Sequence, residues 1–210
     1  MKDFDARLEL MLVASLEEAG PRNVSELAGL AFAGGVGCLQ LREKNLSGRE
    51  FYLLAATLAK FCRERGKLFL VNDRLDVALA SGADGVHLGQ GDLPAAAARR
   101  LLGPDKILGV SVANLPEAEK ALADGADYLG VGAMYATGSK TDARIVDFGE
   151  ARKINLLPLP SLAIGGVDAA RAEKIWGLGF SGLAVISALT KARDPAATAR
   201  ELLAARGGRT

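Results

Sequence analysis

The chain has 210 residues, half of them hydrophobic, which is enough for a sizeable core, and its 24% charged residues, 25 Gly and 7 Pro are proportions that exclude disordered and fibrous classes. Its 26 Lys and Arg stand against 25 Asp and Glu, a formal charge of +1, which leaves no basic excess for a nucleic-acid partner. No stretch approaches the roughly 18 uninterrupted apolar residues of a membrane span, and the opening MKDFDARLELMLVAS lacks the basic-then-apolar order of a secretory signal.

Short apolar runs punctuated by glycine alternate with longer amphipathic ones from end to end. A strand over 8–14 leads to a helix near 23–33, for which Ser25 is the expected cap. A second strand over 37–42 leads to a helix near 48–65, opened by the capping box Ser47-Gly-Arg-Glu50. Strands over 68–73 and 85–89 precede helices near 74–81 and 94–102, the latter with Pro94 in its first turn. Strands over 107–111 and 128–134 precede helices near 115–124 and 148–156, and strands over 161–166 and 183–187 precede helices near 168–177 and 194–206. Cys38 falls in a strand and Cys62 in a helix, without metal-like spacing, so both are expected as reduced, buried thiols of a cytoplasmic protein.

Four helices are expected to stop on a left-handed glycine before the next strand, at Gly34-Gly35, Ser81-Gly82, Asp124-Gly125 and Gly177-Leu-Gly179. Eight strand-helix units of about 26 residues each suit a closed barrel near its lower size limit. Runs such as LFLV and LAVI are apolar on both faces, as a helix-covered parallel sheet requires. An open doubly wound sheet is the alternative, but no Gly-x-Gly-x-x-Gly follows the first strand. The expected fold is therefore a single (β/α)₈ TIM barrel over 1–210, with a short frayed tail near 207–210.

In such a barrel the chemistry gathers at the C-terminal ends of the strands. Those ends carry Gln40, Arg42 and Lys44, then Asn72 and Asp73, Gln90 and Asp92, Ser111, the segment Thr137-Gly-Ser139-Lys140, Gly165-Gly166 and Ser187. Strand alternation puts Cys38, Gln40 and Arg42 on the inner face, with Leu39 and Leu41 outside. Arg42 and Lys44 read either as site cations or as a solvated pair with Glu43. Asp73 and Asp92 end neighbouring strands and read either as helix caps or as two hard oxygen ligands for Mg²⁺ completed by substrate phosphate. Gly165-Gly166 and Ile186-Ser187 stand where many barrels bind a phosphate through backbone N–H groups. Asp84 and Asp127 precede their strands and are expected in turns of the opposite face. The single histidine, His87, is expected as a buried, hydrogen-bonded barrel residue. Gly138-Ser-Lys140-Thr141 lacks the upstream glycine spacing of a P-loop.

With these residues assembled, the chain resembles the thiamine phosphate synthases from about residue 8 to 204. The carrying segments are QLREK (40–44), VNDRLDVALASGADGVHLGQGDLP (71–94), LGVSVAN (108–114), DYLGVGAMYATGSK (127–140), AIGGV (163–167) and AVIS (184–187). The resemblance implies a transferase of thiamine biosynthesis that joins 4-amino-2-methyl-5-(diphosphooxymethyl)pyrimidine to 4-methyl-5-(2-phosphooxyethyl)thiazole, giving thiamine phosphate and pyrophosphate with Mg²⁺. It implies that Gln40, Arg42, Lys44, Asn72 and Lys140 hold the pyrimidine pyrophosphate and that Ser111 contacts the pyrimidine. By the same resemblance Asp73 and Asp92 hold magnesium, and Thr137, Ser139, Gly166, Ile186 and Ser187 hold the thiazole phosphate. Arg42, Lys44 and Lys140 are the implied catalytic charges, and the implied route is dissociative, with pyrophosphate leaving before the thiazole nitrogen attacks.

The chain departs from the family pattern in the sixth loop, where Gly132-Ala-Met-Tyr-Ala-Thr-Gly-Ser-Lys140 lacks two prolines and has Ser139 in place of Thr, and in its first strand, which lacks a Tyr-x-x-Thr-Asp ending. Two other readings compete with the synthase. One is a thiazole tautomerase on the same barrel, whose pattern has a histidine where this chain has Ala113. The other is a non-catalytic thiamine-phosphate-binding regulator. The expected partners are the two small-molecule substrates, with neither nucleic acid nor membrane, and a homo-oligomer is compatible with the sequence.

Overall fold

In the computed structural model, which describes residues 5–138 and 144–207, eight parallel strands close into a barrel in chain order. The strands are β1 (Leu10–Ala14), β2 (Cys38–Leu41), β3 (Leu68–Asn72), β4 (Gly85–Leu88), β5 (Ile107–Val112), β6 (Tyr128–Val131), β7 (Ser161–Ile164) and β8 (Gly182–Val185). Pairing of Met11 with Cys38 on one side and Ala184 on the other closes the ring. The outer layer comprises α1 (Leu16–Ala19), α2 (Val24–Ala33), α3 (Gly48–Arg63), α4 (Leu75–Ser81), α5 (Ala95–Leu102), α6 (Leu115–Ala123), α7 (Phe148–Ile154), α8 (Ala169–Trp176), α9 (Ser187–Thr190) and α10 (Pro195–Ala204). From residue 208 on, the expected tail lies outside the described residues.

Alternation along each strand separates two buried layers. Met11, Val13, Cys38, Leu68, Leu70, Tyr128 and Leu162 fill the barrel. Leu12, Leu39, Leu41, Phe69 and Val71 pack outward against the helices. Cys38 and Cys62 are both buried and free, and burial pushes the Cys62 thiol up to about 12. The left-handed stops fall as expected, with positive φ at Gly35, Gly82, Gly125 and Gly179. Asp84 accepts from the Phe69 N–H and Asp127 from the Leu108 N–H, each at 2.8 Å, so both pin neighbouring strands at the N-terminal rim. The Trp176 indole donates to the Leu202 carbonyl at 3.0 Å and locks α8 to α10. Among the described residues no helix is long and apolar enough to cross a membrane.

Several boundaries differ from the sequence expectation. Ser25 lies inside α2; its cap is Asn23, which accepts from the Glu26 N–H at 2.8 Å. Residues Ala6–Leu8 form a 3₁₀ turn capped by Asp5, which delays β1 to Leu10. Pro94 caps α5 with an extended ψ of 134° instead of sitting in its first turn. The strands expected to run to 134, 166 and 187 stop at Val131, Ile164 and Val185, and the last gives way to α9. For β7 the cause is local: Gly165 and Gly166 have φ of +92° and +64°, which no strand accommodates. The single-turn helices α1 and α9 are too short to show a period in sequence.

Candidate active site

The C-terminal strand ends surround one cavity of about 460 Å³. Every site residue expected from sequence that is described lines it: Gln40, Arg42, Lys44, Asn72, Asp73, Asp92, Ser111, Thr137, Gly166, Ile186 and Ser187. Ser139 and Lys140 lie outside the described residues.

The cationic arc is built from β2. The Arg42 N–H donates to the Ala14 carbonyl at 2.9 Å, so the strand register carries past Leu41 and turns Arg42 to the mouth. Glu43 is not the partner of either cation. Its carboxylate accepts from the Leu16 N–H at 2.6 Å, and burial raises its pKa. Lys44 instead reaches across to form an ion pair with Asp73.

Asp73 has φ of +63° and is the non-glycine residue of positive φ among the described ones, a conformation Asp tolerates better than most side chains. The Asp73 N–H donates to the His87 carbonyl at 2.8 Å and the Arg74 N–H to Asn72 at 2.7 Å, which sets the tight exit from β3. Asp92 accepts from the Gly89 N–H at 2.7 Å. Neither carboxylate caps a helix: the N-caps of α4 and α5 are Arg74 and Pro94, and neither makes a side-chain capping bond. The two carboxyls lie close enough to act on each other. Burial pushes Asp73 up, but Lys44, Asp92 and Arg42 together hold it below its usual range, while burial and Asp73 raise Asp92. Two adjoining carboxyls repel, so their pKa values part in this way.

Among the described residues no group of three or more His, Cys, Asp or Glu is arranged as a metal cage. Two facing carboxylates beside cations are what Mg²⁺ takes when phosphate oxygens and water complete its shell.

The opposite arc is made of main chain. The Gly166 carbonyl accepts from Arg171 at 2.7 Å, and the Arg171 guanidinium lies 4.6 Å from the Tyr135 ring centroid. The planar peptide then turns the Val167 N–H to the other side. α9 opens on Ser187, and Ile186 supplies no side-chain cap, so its first N–H groups lack intrahelical partners. Glycine at 166 is demanded by the fold, because a Cβ there would stand 2.8 Å from Tyr135 Cβ and 2.9 Å from the Ala136 carbonyl oxygen.

The floor is polar. His87 Nδ1 lies 2.8 Å from the Tyr128 hydroxyl and Nε2 2.8 Å from the Ser111 hydroxyl. Gln90 donates to the Ser111 carbonyl at 2.7 Å. Arg144 and Glu117 also line the cavity, and sequence reasoning missed both. Arg144 arrives because the chain after β6 folds back, the Ala133 N–H donating to the Arg144 carbonyl at 3.1 Å and the Val146 N–H to Ala133 at 2.8 Å. No local pattern announces that return. Glu117 holds the β5 exit by accepting from the Ala113 N–H at 2.7 Å.

Residues 10–189 match the family model described as thiamine monophosphate synthase. The chain belongs to this family. Among its relatives, thiamine-phosphate synthases of Moorella thermoacetica and Chlorobium luteolum are 47% and 46% identical to it, covering 92% and 93% of this chain and 93% and 92% of theirs. A thiamine phosphate pyrophosphorylase from Pyrococcus furiosus has a TM-score of 0.87 at 38% identity, with 96% of each chain covered. A 3-hexulose-6-phosphate synthase at 21% identity and a TM-score of 0.70 shares the fold alone.

Proposed function

We propose that the chain is the cytoplasmic thiamine phosphate synthase that displaces pyrophosphate from the aminopyrimidine methyl ester with the thiazole phosphate. The bond from the pyrimidine methylene carbon to the pyrophosphate oxygen breaks, and its electron pair leaves with pyrophosphate. The thiazole nitrogen lone pair then forms the new carbon–nitrogen bond. No proton transfer and no protein nucleophile are required.

The observation that carries this reading is the division of one cavity into two arcs. Arg42 and Lys44 stand with the Asp73–Asp92 pair on one, and the main chain at Gly166 and Ser187 forms the other. The first arc suits a pyrophosphate ester and the second a phosphate monoester. Asp73 and Asp92 would hold Mg²⁺, which when bound neutralises charge on the pyrophosphate oxygens. Lys44 is placed to exchange its Asp73 partner for a pyrophosphate oxygen, and Arg42 adds a second fixed charge, so catalysis is positional and electrostatic. Lys140, by family resemblance, supplies a third. Ala113 at the cavity wall offers no histidine for the proton shift of a tautomerase.

Purified protein incubated with both substrates and Mg²⁺ should yield thiamine phosphate by mass spectrometry. Binding of both substrates without product would instead identify a regulator and overturn the synthase reading.

A further inference from the structure

The barrel layer beneath the cavity is filled in an unusual way. Such layers are ordinarily packed with branched aliphatic side chains, yet here a polar chain runs through the interior from β6 by way of β4 to β5. The Gln40 amide, beside the Tyr128 hydroxyl, donates to Met11 Sδ at 3.2 Å. The Tyr128 hydroxyl meets His87 Nδ1, and His87 Nε2 meets the Ser111 hydroxyl, each at 2.8 Å. Gln40, Tyr128 and His87 are buried, and among the described residues no buried side-chain polar atom lacks a partner.

Two glycines make room for this chain. A Cβ at Gly109 would lie 2.2 Å from Tyr128 Cζ, and one at Gly130 would lie 2.8 Å from His87 Cε1. Both rings therefore occupy space that any other residue on β5 and β6 would fill. Ser111, at one end of the chain, and His87 face the cavity, as does Gln40.

A neutral imidazole has one donor nitrogen and one acceptor nitrogen. If Tyr128 donates to Nδ1, then Nε2–H donates to Ser111, whose own proton is released toward the cavity. If Ser111 donates to Nε2, then Nδ1–H donates to Tyr128, whose own proton turns away from the imidazole, and Ser111 offers the cavity lone pairs only. The imidazole and Ser111 thus change character together.

We propose that His87 and Tyr128 are positioning residues for the pyrimidine subsite, the imidazole tautomer setting whether Ser111 presents a donor or an acceptor to the aminopyrimidine ring. The identity of the ring rests on the function proposed above. An aminopyrimidine carries acceptor ring nitrogens beside a donor amino group, so it selects one state of the chain, whereas inorganic pyrophosphate, held at the rim, selects neither.

Because His87 is the single histidine, its ring nitrogens can be read by ¹⁵N NMR in uniformly labelled protein without assignment. The wild type should show one dominant tautomer, and Tyr128→Phe, which keeps the ring in its glycine-lined space, should show a different ratio. Identical histidine signals in wild type, Tyr128→Phe and Ser111→Ala would overturn the proposal whatever the protein catalyses. In calorimetry with Mg²⁺, Tyr128→Phe should bind the aminopyrimidine pyrophosphate about five- to tenfold more weakly, the effect of one hydrogen bond, and inorganic pyrophosphate within about twofold of wild type. Equal weakening of both ligands would make Tyr128 merely structural and overturn the positioning role. Wild type that binds neither ligand, with the tautomer shift intact, would fault the functional reading and leave the relay standing.

Discussion

Replacing Gly109 by alanine tests the interior packing on which the cavity floor depends. Gly109 and Tyr128 are paired in register across β5 and β6, so the tyrosine ring lies directly over the glycine. An added Cβ would sit 2.2 Å from Tyr128 Cζ and 2.4 Å from both Cε1 and the hydroxyl oxygen. Ordinary contact requires a separation larger by more than about 1 Å. The obstacle is a rigid ring, 1% exposed, whose neighbour His87 lies 5.4 Å away between centroids, and it has no flexible end to swing aside. Overpacking of this kind costs about 2–3 kcal/mol, and in a chain of this size each kcal/mol lowers Tm by about 2–4 °C. Gly109→Ala should therefore melt about 4–12 °C below wild type by circular dichroism. Gly91→Ala, where a Cβ meets nothing within 4 Å, serves as the control and should melt with wild type. A Gly109→Ala protein melting within about 1 °C of wild type would refute the claim that the interior is filled to contact around Tyr128.

The remaining predictions concern the carboxylate pair. Asp92→Asn should keep the fold, since the amide oxygen can still accept from Gly89, and should lower turnover about 10²-fold or more by removing a charge that holds Mg²⁺; unchanged kcat at saturating substrates and Mg²⁺ would remove Asp92 from the site. The same variant carries a stability signature. The Asp92 carboxyl is raised in the fold, so the native state binds its proton more tightly than the unfolded chain, and ionised Asp92 destabilises at neutral pH. The stabilisation of Asp92→Asn relative to wild type should therefore be present near pH 7, amount to less than about 1 kcal/mol after solvent screening, and vanish as pH falls through the raised Asp92 pKa. A difference independent of pH in paired denaturant melts would contradict it. Mg²⁺-dependent binding of inorganic pyrophosphate should also weaken on acidification, beginning above the usual aspartate range of about 4, as a proton competes for Asp92. Affinity by calorimetry that stays flat down to that range would argue against both carboxylates as ligands. At Asp73, whose φ is +63°, Asp73→Gly should be more stable than Asp73→Ala by about 1 kcal/mol, and the reverse order in urea melts would deny the left-handed conformation.

Most of the barrel was legible because its signals are local. A two-residue period separates Gln40 and Arg42 from Leu39 and Leu41, and a left-handed glycine closes each of the helices before Val36, Ala83, Ala126 and Phe180. The strand ends followed, and with them Asp73 and Asp92 on adjoining strands. Contacts closed by long-range folding did not show. Glu43 appeared as the natural partner of its sequence neighbours, but the start of α1, 27 residues away, takes its carboxylate. His87 was readable as buried and bonded, yet Tyr128 stands 41 residues on, and nothing in the intervening chain joins them. Arg144 reaches the cavity through a backbone return that no periodicity marks. Glycine misled in the other direction: Gly165 and Gly166 read as the end of β7, whereas their positive φ values terminate it at Ile164.

Whether the rim displaces pyrophosphate with the thiazole nitrogen is decided by ³¹P NMR of purified protein with both substrates and Mg²⁺. The two phosphorus signals of the pyrimidine ester should disappear, inorganic pyrophosphate should appear in equal amount to thiamine phosphate, and no pyrophosphate beyond a slow background should form when the thiazole phosphate is omitted under otherwise identical conditions. Release of orthophosphate, pyrophosphate formed at the same rate without the thiazole, or an unchanged spectrum despite binding of both ligands would contradict it.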